Sequence, residues 1–238
     1  KIIGDIQIGN ASQPGGGAIS SRMAQFLAGL SWDAPLTTVN RQCSSGLQAI
    51  ANIAGSIKTG VIDIGIAGGV ESMSMFGMMD GVDFDKLSGN ILENELARSC
   101  LLPMGMTSEN VAAKYGLSRE VQDAMAADSH SKAIAAQKAG LFADEIVPVT
   151  ARVKDKKTGV VKEVTVTQDE GPREGTTKES LAKLKPVFKA HGSTTAGNAS
   201  QVSDGAAMTL LARRSKAKEL GLPILARIRS FAVVGVDP

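Results

Sequence analysis

Through the first 70 residues, short aliphatic runs alternate with longer stretches of helical periodicity, and that alternation leaves few folds open to the chain. Ile3, Ile6 and Ile8 suit a short strand. Ile19, Met23, Phe26, Leu27 and Leu30 then recur at helical spacing and predict an apolar stripe on one helix face. Leu36 to Val39 reads as a second strand. Between Ser44 and Thr59, Leu47, Ile50, Ala51, Ala54 and Ile57 keep helical spacing, and Gly60 supplies the stop. Ile62 to Ala67 reads as a third strand. Strands followed by helices of this length predict βαβ units, hence a mostly parallel sheet covered on both faces and an α/β fold class.

The rhythm changes from Glu71 to about Lys189. Met73 to Met79 is a Met- and Gly-rich loop, and Thr107 reads as the N-cap of a helix reaching Tyr115. Ser118 caps a longer Ala-rich helix ending at Gly140. Ile146 to Arg152 and Val160 to Thr167 predict a hairpin, and Ser180 to Phe188 another helical stretch interrupted by Pro186. From Ala206 the regular pattern resumes: a strand through Leu211, a helix capped by Ser215 and ended by Gly221, then Ile224 to Val234 as strand material. The expected organisation is a core of residues 1–70 and 192–238 carrying an inserted domain of residues 71–191.

Composition narrows the function classes. Of 238 residues, 43% are hydrophobic and 21% charged, which is globular usage and excludes a disordered chain. Aromatics make up only 3%, too few for the base-stacking platforms of nucleic-acid binders, and the net charge of +2 adds no electrostatic reason for such a partner. Cys43 and Cys100 are too few for a disulfide framework and match no metal-ligand spacing. The longest uncharged runs, Ile6 to Ser21 and Gln42 to Ile57, are rich in Ser, Gln, Asn and Gly, whereas a membrane span needs ~20 apolar residues, so no membrane span is expected. The chain opens at Lys1 without an initiator Met or a targeting segment, so localisation is not readable from a signal.

Chemistry concentrates at Cys43, which stands between a predicted strand and a predicted helix in Asn40-Arg41-Gln42-Cys43-Ser44-Ser45-Gly46. This is the arrangement of a nucleophile elbow. The positive end of the helix and its unpaired N–H groups favour negative charge at that point, and the small residues after the cysteine are expected to leave room for a substrate. The competing reading is a buried, inert cysteine. Cys100, beside Leu101 and Leu102, is expected to be buried and inert. His130, in the Ala-rich helix, and His191, in a Gly-Ser-Thr loop, are expected to be structural or solvent-facing. Arg152 to Lys189 holds ten basic and six acidic residues, an excess larger than that of the whole chain, which suits a phosphate-bearing ligand or equally a solvated surface.

The stretches VNRQCSSGLQAI, GGVESMS, LPMGMTSENVA, KLKPVF and GSTTAGNASQVSDGAA resemble the thiolase family, in particular its peroxisomal 3-ketoacyl-CoA branch, in order along the whole chain. The resemblance implies the first half of a layered α/β/α/β/α fold, with an inserted α+β loop domain that binds coenzyme A. It implies Cys43 as the acylated nucleophile in thiolytic cleavage of 3-ketoacyl-CoA to acetyl-CoA and a shortened acyl-CoA, within fatty acid β-oxidation. Arg173 matches the family arginine beside the adenine, Ser180 a hydroxyl near the nucleotide end, Phe188 and Met104 apolar contacts to pantetheine, and Ser200 a serine that hydrogen-bonds pantetheine. Gln201 stands where the family often has Gly. The family's Asn-Glu-Ala-Phe, Gly-His-Pro and Cys-x-Gly motifs, which supply the activating His and a second Cys, lie beyond Pro238, so this chain alone is expected to be inactive. Coenzyme A enters as substrate, and no cofactor or metal is implied. The resemblance also implies a homodimer or homotetramer with Leu36 to Asn40 at the subunit interface, and a peroxisomal location with cytoplasm or mitochondrion as alternatives. A biosynthetic acetoacetyl-CoA thiolase, or a truncated non-catalytic product that binds coenzyme A esters or pairs with full-length subunits, are the rival readings.

Overall fold

In chain order the elements are β1 (Asp5–Gly9), α1 (Ala18–Leu27), β2 (Leu36–Val39), α2 (Ser45–Lys58), β3 (Ile64–Glu71), α3 (Gly89–Glu93), α4 (Glu95–Ser99), α5 (Met104–Tyr115), α6 (Arg119–Lys138), β4 (Val149–Lys154), β5 (Val161–Val166), α7 (Lys178–Ala182), β6 (Gly205–Ala212) and α8 (Arg214–Glu219). The computed structural model describes residues 2–155 and 157–236. Lys1 and Pro238, the outer limits of the expected core, and Lys156 of the basic stretch lie outside the described residues. The described residues divide into two compact units, 2–93 with 202–236, and 94–201. Residues 71–93 therefore go with the sheet, and 192–201 with the inserted unit. Hydrogen bonds account for this division: Ser74 N–H donates to Asp204 within the first unit, whereas Ser193 and Thr194 N–H donate to Glu109 within the second.

The first unit is built on a four-stranded sheet in the order β2-β1-β3-β6. β1 runs parallel to β2 and β3, as the βαβ reading expects, and β6 closes the sheet antiparallel to β3. α2 covers one face: Ala49 and Ile53 are fully buried with Ala67, and Val39, Ile50, Ile57, Ile62 and Leu211 pack around them. A fully buried side chain the size of Ile53 contributes ~1.5–3 kcal/mol. On the opposite face Ile6 and Ile8 bury against Ala34, with Leu30, Leu36 and Ile66 packed alongside. That face is not fully covered, because Met208 and Leu210 of β6 remain exposed.

α1 departs from its sequence reading. Gln25 is buried, while Ile19, Met23, Phe26 and Leu27 of the expected core stripe are exposed, Leu27 to 90%. Polar anchoring turns the helix this way. Arg22 donates to the carbonyls of Ala34 and Trp32 at 2.6 and 2.7 Å, and Gln25 to those of Ser31 and Ala34 at 2.7 and 3.0 Å. Those bonds fix the Arg22–Gln25 side inward and leave the apolar stripe outside. α8 starts two residues earlier than Ser215 predicts, with Arg213 as N-cap, although Gly221 ends it as expected at φ +66°. Residues 224–234 form no strand among the described residues; their pattern is strand-like, but a strand exists only against a hydrogen-bonding neighbour.

In the second unit Pro103, not Thr107, precedes α5; its fixed φ of −61° sets the first turn, and Met106 N–H bonds its carbonyl at 2.9 Å. Ser118 caps α6 as expected, accepting from Val121 N–H. The predicted hairpin forms as β4 and β5, with Arg152 opposite Glu163. The expected Ser180–Phe188 helix is instead Lys178–Ala182, capped by Thr177, with Ser180 inside its first turn. Pro186 removes a helical N–H donor and disfavours helix in the residue before it, so the chain leaves the helix and Pro186 bridges to Thr195.

Candidate active site

Cys43 lies in the turn from the end of β2 to the start of α2, and its side chain is exposed. The turn is built by its own polar side chains. Ser45 Oγ accepts from Arg41 N–H at 2.9 Å and donates to the Gln42 carbonyl at 2.5 Å; Ser44 Oγ donates to the Arg41 carbonyl at 2.9 Å. Gln42, immediately before Cys43, has φ +49° and is the one non-glycine residue in the left-handed region among the described residues. A residue held there stores about 1–3 kcal/mol and persists only where its surroundings fix it. Asn40 Oδ1 does so by accepting from Gln42 N–H at 2.9 Å.

The expectation that Ser44, Ser45 and Gly46 leave room for a substrate holds only at Ser44, which is exposed; Ser45 is buried, and Gly46 lies against Gly69. The start of α2 rests on bare backbone. A Cβ at Gly9 would overlap the Ser45 carbonyl carbon and the Gly46 nitrogen, and one at Gly69 would stand 3.2 Å from Gly46 Cα. The glycines thus set how close α2, and with it the turn carrying Cys43, sits to β1 and β3.

A carboxylate braces the same region. Glu71, at the end of β3, accepts from the N–H groups of Ala11 and Ser12 at 2.9 and 3.1 Å and from Asn10 Nδ2 at 3.2 Å. Asn40 Nδ2 donates to the Ala11 carbonyl at 3.1 Å, so Asn40 links this loop to Gln42. Beside it, Asp204 accepts from Ser74 N–H at 2.8 Å, and that bond foremost holds its carboxyl below the usual aspartate range.

The other residues singled out from sequence all fall in the second unit. Met104 opens α5 and is exposed. The Phe188 ring lies on Gly105, where a Cβ would overlap it, so Phe188 sits one residue from Met104 on the same helix start. Arg173 is exposed, and its N–H donates to His130 Nδ1 at 3.1 Å, giving His130 the structural role expected of it. His191 is exposed. The Ser180 hydroxyl is engaged in a capping box, accepting from Thr177 N–H at 3.0 Å and donating to the Thr177 carbonyl at 2.8 Å. Ser200 is exposed, its hydroxyl donating to the Gln201 carbonyl at 3.3 Å.

Sequence reading missed Gln42, Gly9, Gly69 and Glu71, and in the second unit Glu109 and Asp123, both buried. Glu109 shares a helix face with Ala112, three residues on, which was the available signal. Burial raises the Glu109 carboxyl, but hydrogen bonds from the N–H groups of Ser193 and Thr194 and from their hydroxyls outweigh it and hold the group below the ordinary glutamate range. Among the described residues no group of three or more His, Cys, Asp or Glu is arranged to hold a metal ion, and no helix is long and apolar enough to cross a membrane.

Cys100 is exposed, not buried; it caps the C-terminal end of the short α4, and its thiol donates to the Leu96 carbonyl at 3.4 Å. With both thiols accessible, electrostatics separates them. Cys43 stands at the positive end of the 14-residue α2, and Cys100 at the negative end of a helix against a carbonyl. Iodoacetamide at neutral pH, followed by peptide mapping, is expected to label Cys43 faster; faster labelling of Cys100 would contradict this ordering.

Residues 1–215 match the family model described as "Thiolase, N-terminal domain". The chain is 61% identical over 236 residues to mouse 3-ketoacyl-CoA thiolase A, peroxisomal, covering 99% of this chain and 55% of that protein. It is 52% identical over 239 residues to 3-ketoacyl-CoA thiolase 1, peroxisomal, of Arabidopsis thaliana, covering 99% of this chain and 53% of that protein. The dimeric peroxisomal thiolase of Saccharomyces cerevisiae superposes with a TM-score of 0.84 at 46% identity, over 95% of this chain and 56% of that one. The acetyl-CoA acetyltransferase of Bacillus anthracis gives 0.75 at 36% identity, over 93% of this chain and 57% of that one. The chain spans about half the length of the curated relatives it matches.

Proposed function

The chain belongs to the thiolase family, and from that premise we propose that it carries the nucleophile and part of the coenzyme A surface of a peroxisomal 3-ketoacyl-CoA thiolase. The observation that carries the reading is Cys43 exposed on a braced strand-to-helix turn, in a chain 61% identical to peroxisomal 3-ketoacyl-CoA thiolases of mouse and human. Cys43 thiolate attacks the 3-keto carbon and the carbonyl electrons move to oxygen. Collapse of that adduct breaks the Cα–Cβ bond, and the departing carbon takes up a proton to leave as acetyl-CoA. The shortened acyl group stays on Cys43 as a thioester, which coenzyme A thiolate then attacks, regenerating the cysteine. Negative charge developing beside Cys43 lies at the N-terminal end of α2, where helix N–H groups favour it. The first step is a carbon–carbon cleavage that transfers the acyl group to sulfur and the second a thioester exchange, and neither step calls for a metal or redox cofactor.

The degradative reading is supported over the biosynthetic one by the higher similarity to the yeast peroxisomal thiolase than to the Bacillus acetyl-CoA acetyltransferase, 46% against 36% identity, and by the 61% identity to mouse peroxisomal 3-ketoacyl-CoA thiolase A. The same relatives support a peroxisomal location. The reading includes a homodimer with Leu36 to Asn40 at the subunit interface; the dimeric state named for the yeast thiolase supports the dimer, and among the described residues β2 is an edge strand with one side open to a partner.

In this reading Arg173 binds the nucleotide end of coenzyme A, with Met104, Ser180, Phe188 and Ser200 on the same unit. Arg173→Ala in the full-length protein is expected to raise KM for coenzyme A by an amount equivalent to ~1–3 kcal/mol, with kcat at saturation little changed. Initial-rate kinetics of thiolysis measures both constants. An unchanged KM would remove Arg173 from the binding site, and absence of thiolysis by the wild type would overturn the reading itself.

A further inference from the structure

Loop 192–200 of the second unit is gripped from two sides by carboxylates that are themselves buried. Glu109, 5% exposed, accepts from Ser193 N–H through both oxygens at 3.0 Å, from Thr194 N–H at 2.7 Å and from the Ser193 hydroxyl at 3.3 Å. Asp123, 2% exposed, accepts from Asn198 Nδ2 at 2.9 Å and pairs with Arg119 Nε at 2.8 Å. Asn198 closes the loop on itself, donating to the Ser193 carbonyl at 2.9 Å and accepting from Thr195 N–H at 2.7 Å. Two glycines make the fit possible: a Cβ at Gly192 would overlap the Glu109 carboxylate, and one at Gly197 the side chains of Leu181 and Leu184. Arg119 carries the network further by donating to the carbonyls of Leu181 and Leu184.

Apolar packing stabilises a fold at least as well as buried charge does, so two satisfied carboxylates aimed at one loop have their main effect on its geometry. That loop ends in the exposed Ser200, two residues beyond Asn198, and the Leu181–Leu184 segment lies between Ser180 and Phe188. We propose that Glu109 and Asp123 are positioning residues for coenzyme A esters: they fix the backbone that presents Ser200, and through Arg119 they hold it in register with the segment carrying Ser180 and Phe188. The proposal rests on the reading of this unit as the coenzyme A site.

The test uses the full-length protein and three variants. Glu109→Ala and Asn198→Ala should each raise KM for coenzyme A about tenfold or more while leaving kcat at saturation within about threefold. Glu109→Gln should stay within about threefold of wild type on both constants, because Glu109 Oε1 already accepts both the Ser193 and Thr194 N–H groups and a glutamine oxygen replaces it there. Hydrogen exchange at Ser193 and Thr194 should accelerate in Glu109→Ala and not in Glu109→Gln, and the iodoacetamide rate at Cys43 should not move in any variant. Asn198→Ala leaves both carboxylates in place and carries the test alone if Glu109→Ala does not fold. Accelerated exchange with an unmoved KM would overturn the positioning role by itself. A wild type that neither binds nor uses coenzyme A would overturn the functional reading, and this proposal with it.

Discussion

Gly9→Ala is expected to reduce kcat/KM for thiolysis by about a hundredfold or more, although the substitution adds one methyl group and touches no reacting atom. The new Cβ would overlap the Ser45 carbonyl carbon and the Gly46 nitrogen, which are backbone atoms with no rotamer to yield. The first turn of α2 has to lift off β1, and Cys43 moves with it. Overpacking of this kind costs ~1–3 kcal/mol of stability, and a displacement of about 1 Å at a reacting group costs on the order of a hundredfold in rate. The control lies in the same helix. Gly55 has no heavy atom within 4 Å of where its Cβ would go, so Gly55→Ala should be neutral or stabilising by about 0.5–1 kcal/mol through helix propensity. Thermal unfolding and initial rates on both variants of the full-length protein distinguish the cases. A Gly9→Ala protein with wild-type kcat/KM and Tm would show that the close approach of β1 to α2 has no bearing on the site.

How much of this was legible in the sequence follows from how local each feature is. β2 spans Leu36–Val39 as its pattern predicts, α2 differs by one residue at each end, and the turn carrying Cys43 follows from those two boundaries. The apolar stripe of α1 was legible but its direction was not, because Arg22 and Gln25 bond to carbonyls six to twelve residues away and no periodicity encodes that. Thr107 and Ser215 carry genuine N-cap chemistry yet lie inside helices, since helix starts depend on which backbone groups the surrounding fold leaves unpaired. Cys100 has leucine neighbours that suggest burial, but α4 is too short to turn its thiol into a core. Within the site, Cys43 announces itself through position, whereas Gly9, Gly69, Glu71 and the left-handed Gln42 become meaningful only when strands far apart in sequence meet.

Cys43→Ala should have the largest effect of any single change, abolishing turnover by at least about 10⁴-fold in the full-length protein while leaving ester binding intact. No other thiol of this chain stands at a helix start; Cys100 lies at the opposite end of its helix, with its S–H directed at a carbonyl. The alanine also removes none of the side chains that build the turn, since those bonds run among Asn40, Arg41, Gln42, Ser44 and Ser45. The fold and the loss of chemistry are therefore separable, and near-wild-type Tm is expected.

The central claim is that an acyl group resides on Cys43 between the two halves of the reaction, and mass spectrometry reads that state directly. Full-length protein mixed with a 3-ketoacyl-CoA in the absence of added coenzyme A is quenched in acid and mapped by peptide. The account predicts one adduct, on the peptide containing Cys43, with the mass of an acyl chain two carbons shorter than the substrate's; it should vanish on addition of coenzyme A and be missing from Cys43→Ala. An adduct on Cys100 or elsewhere, one that persists in Cys43→Ala, or turnover by a wild type that never shows the adduct would contradict it.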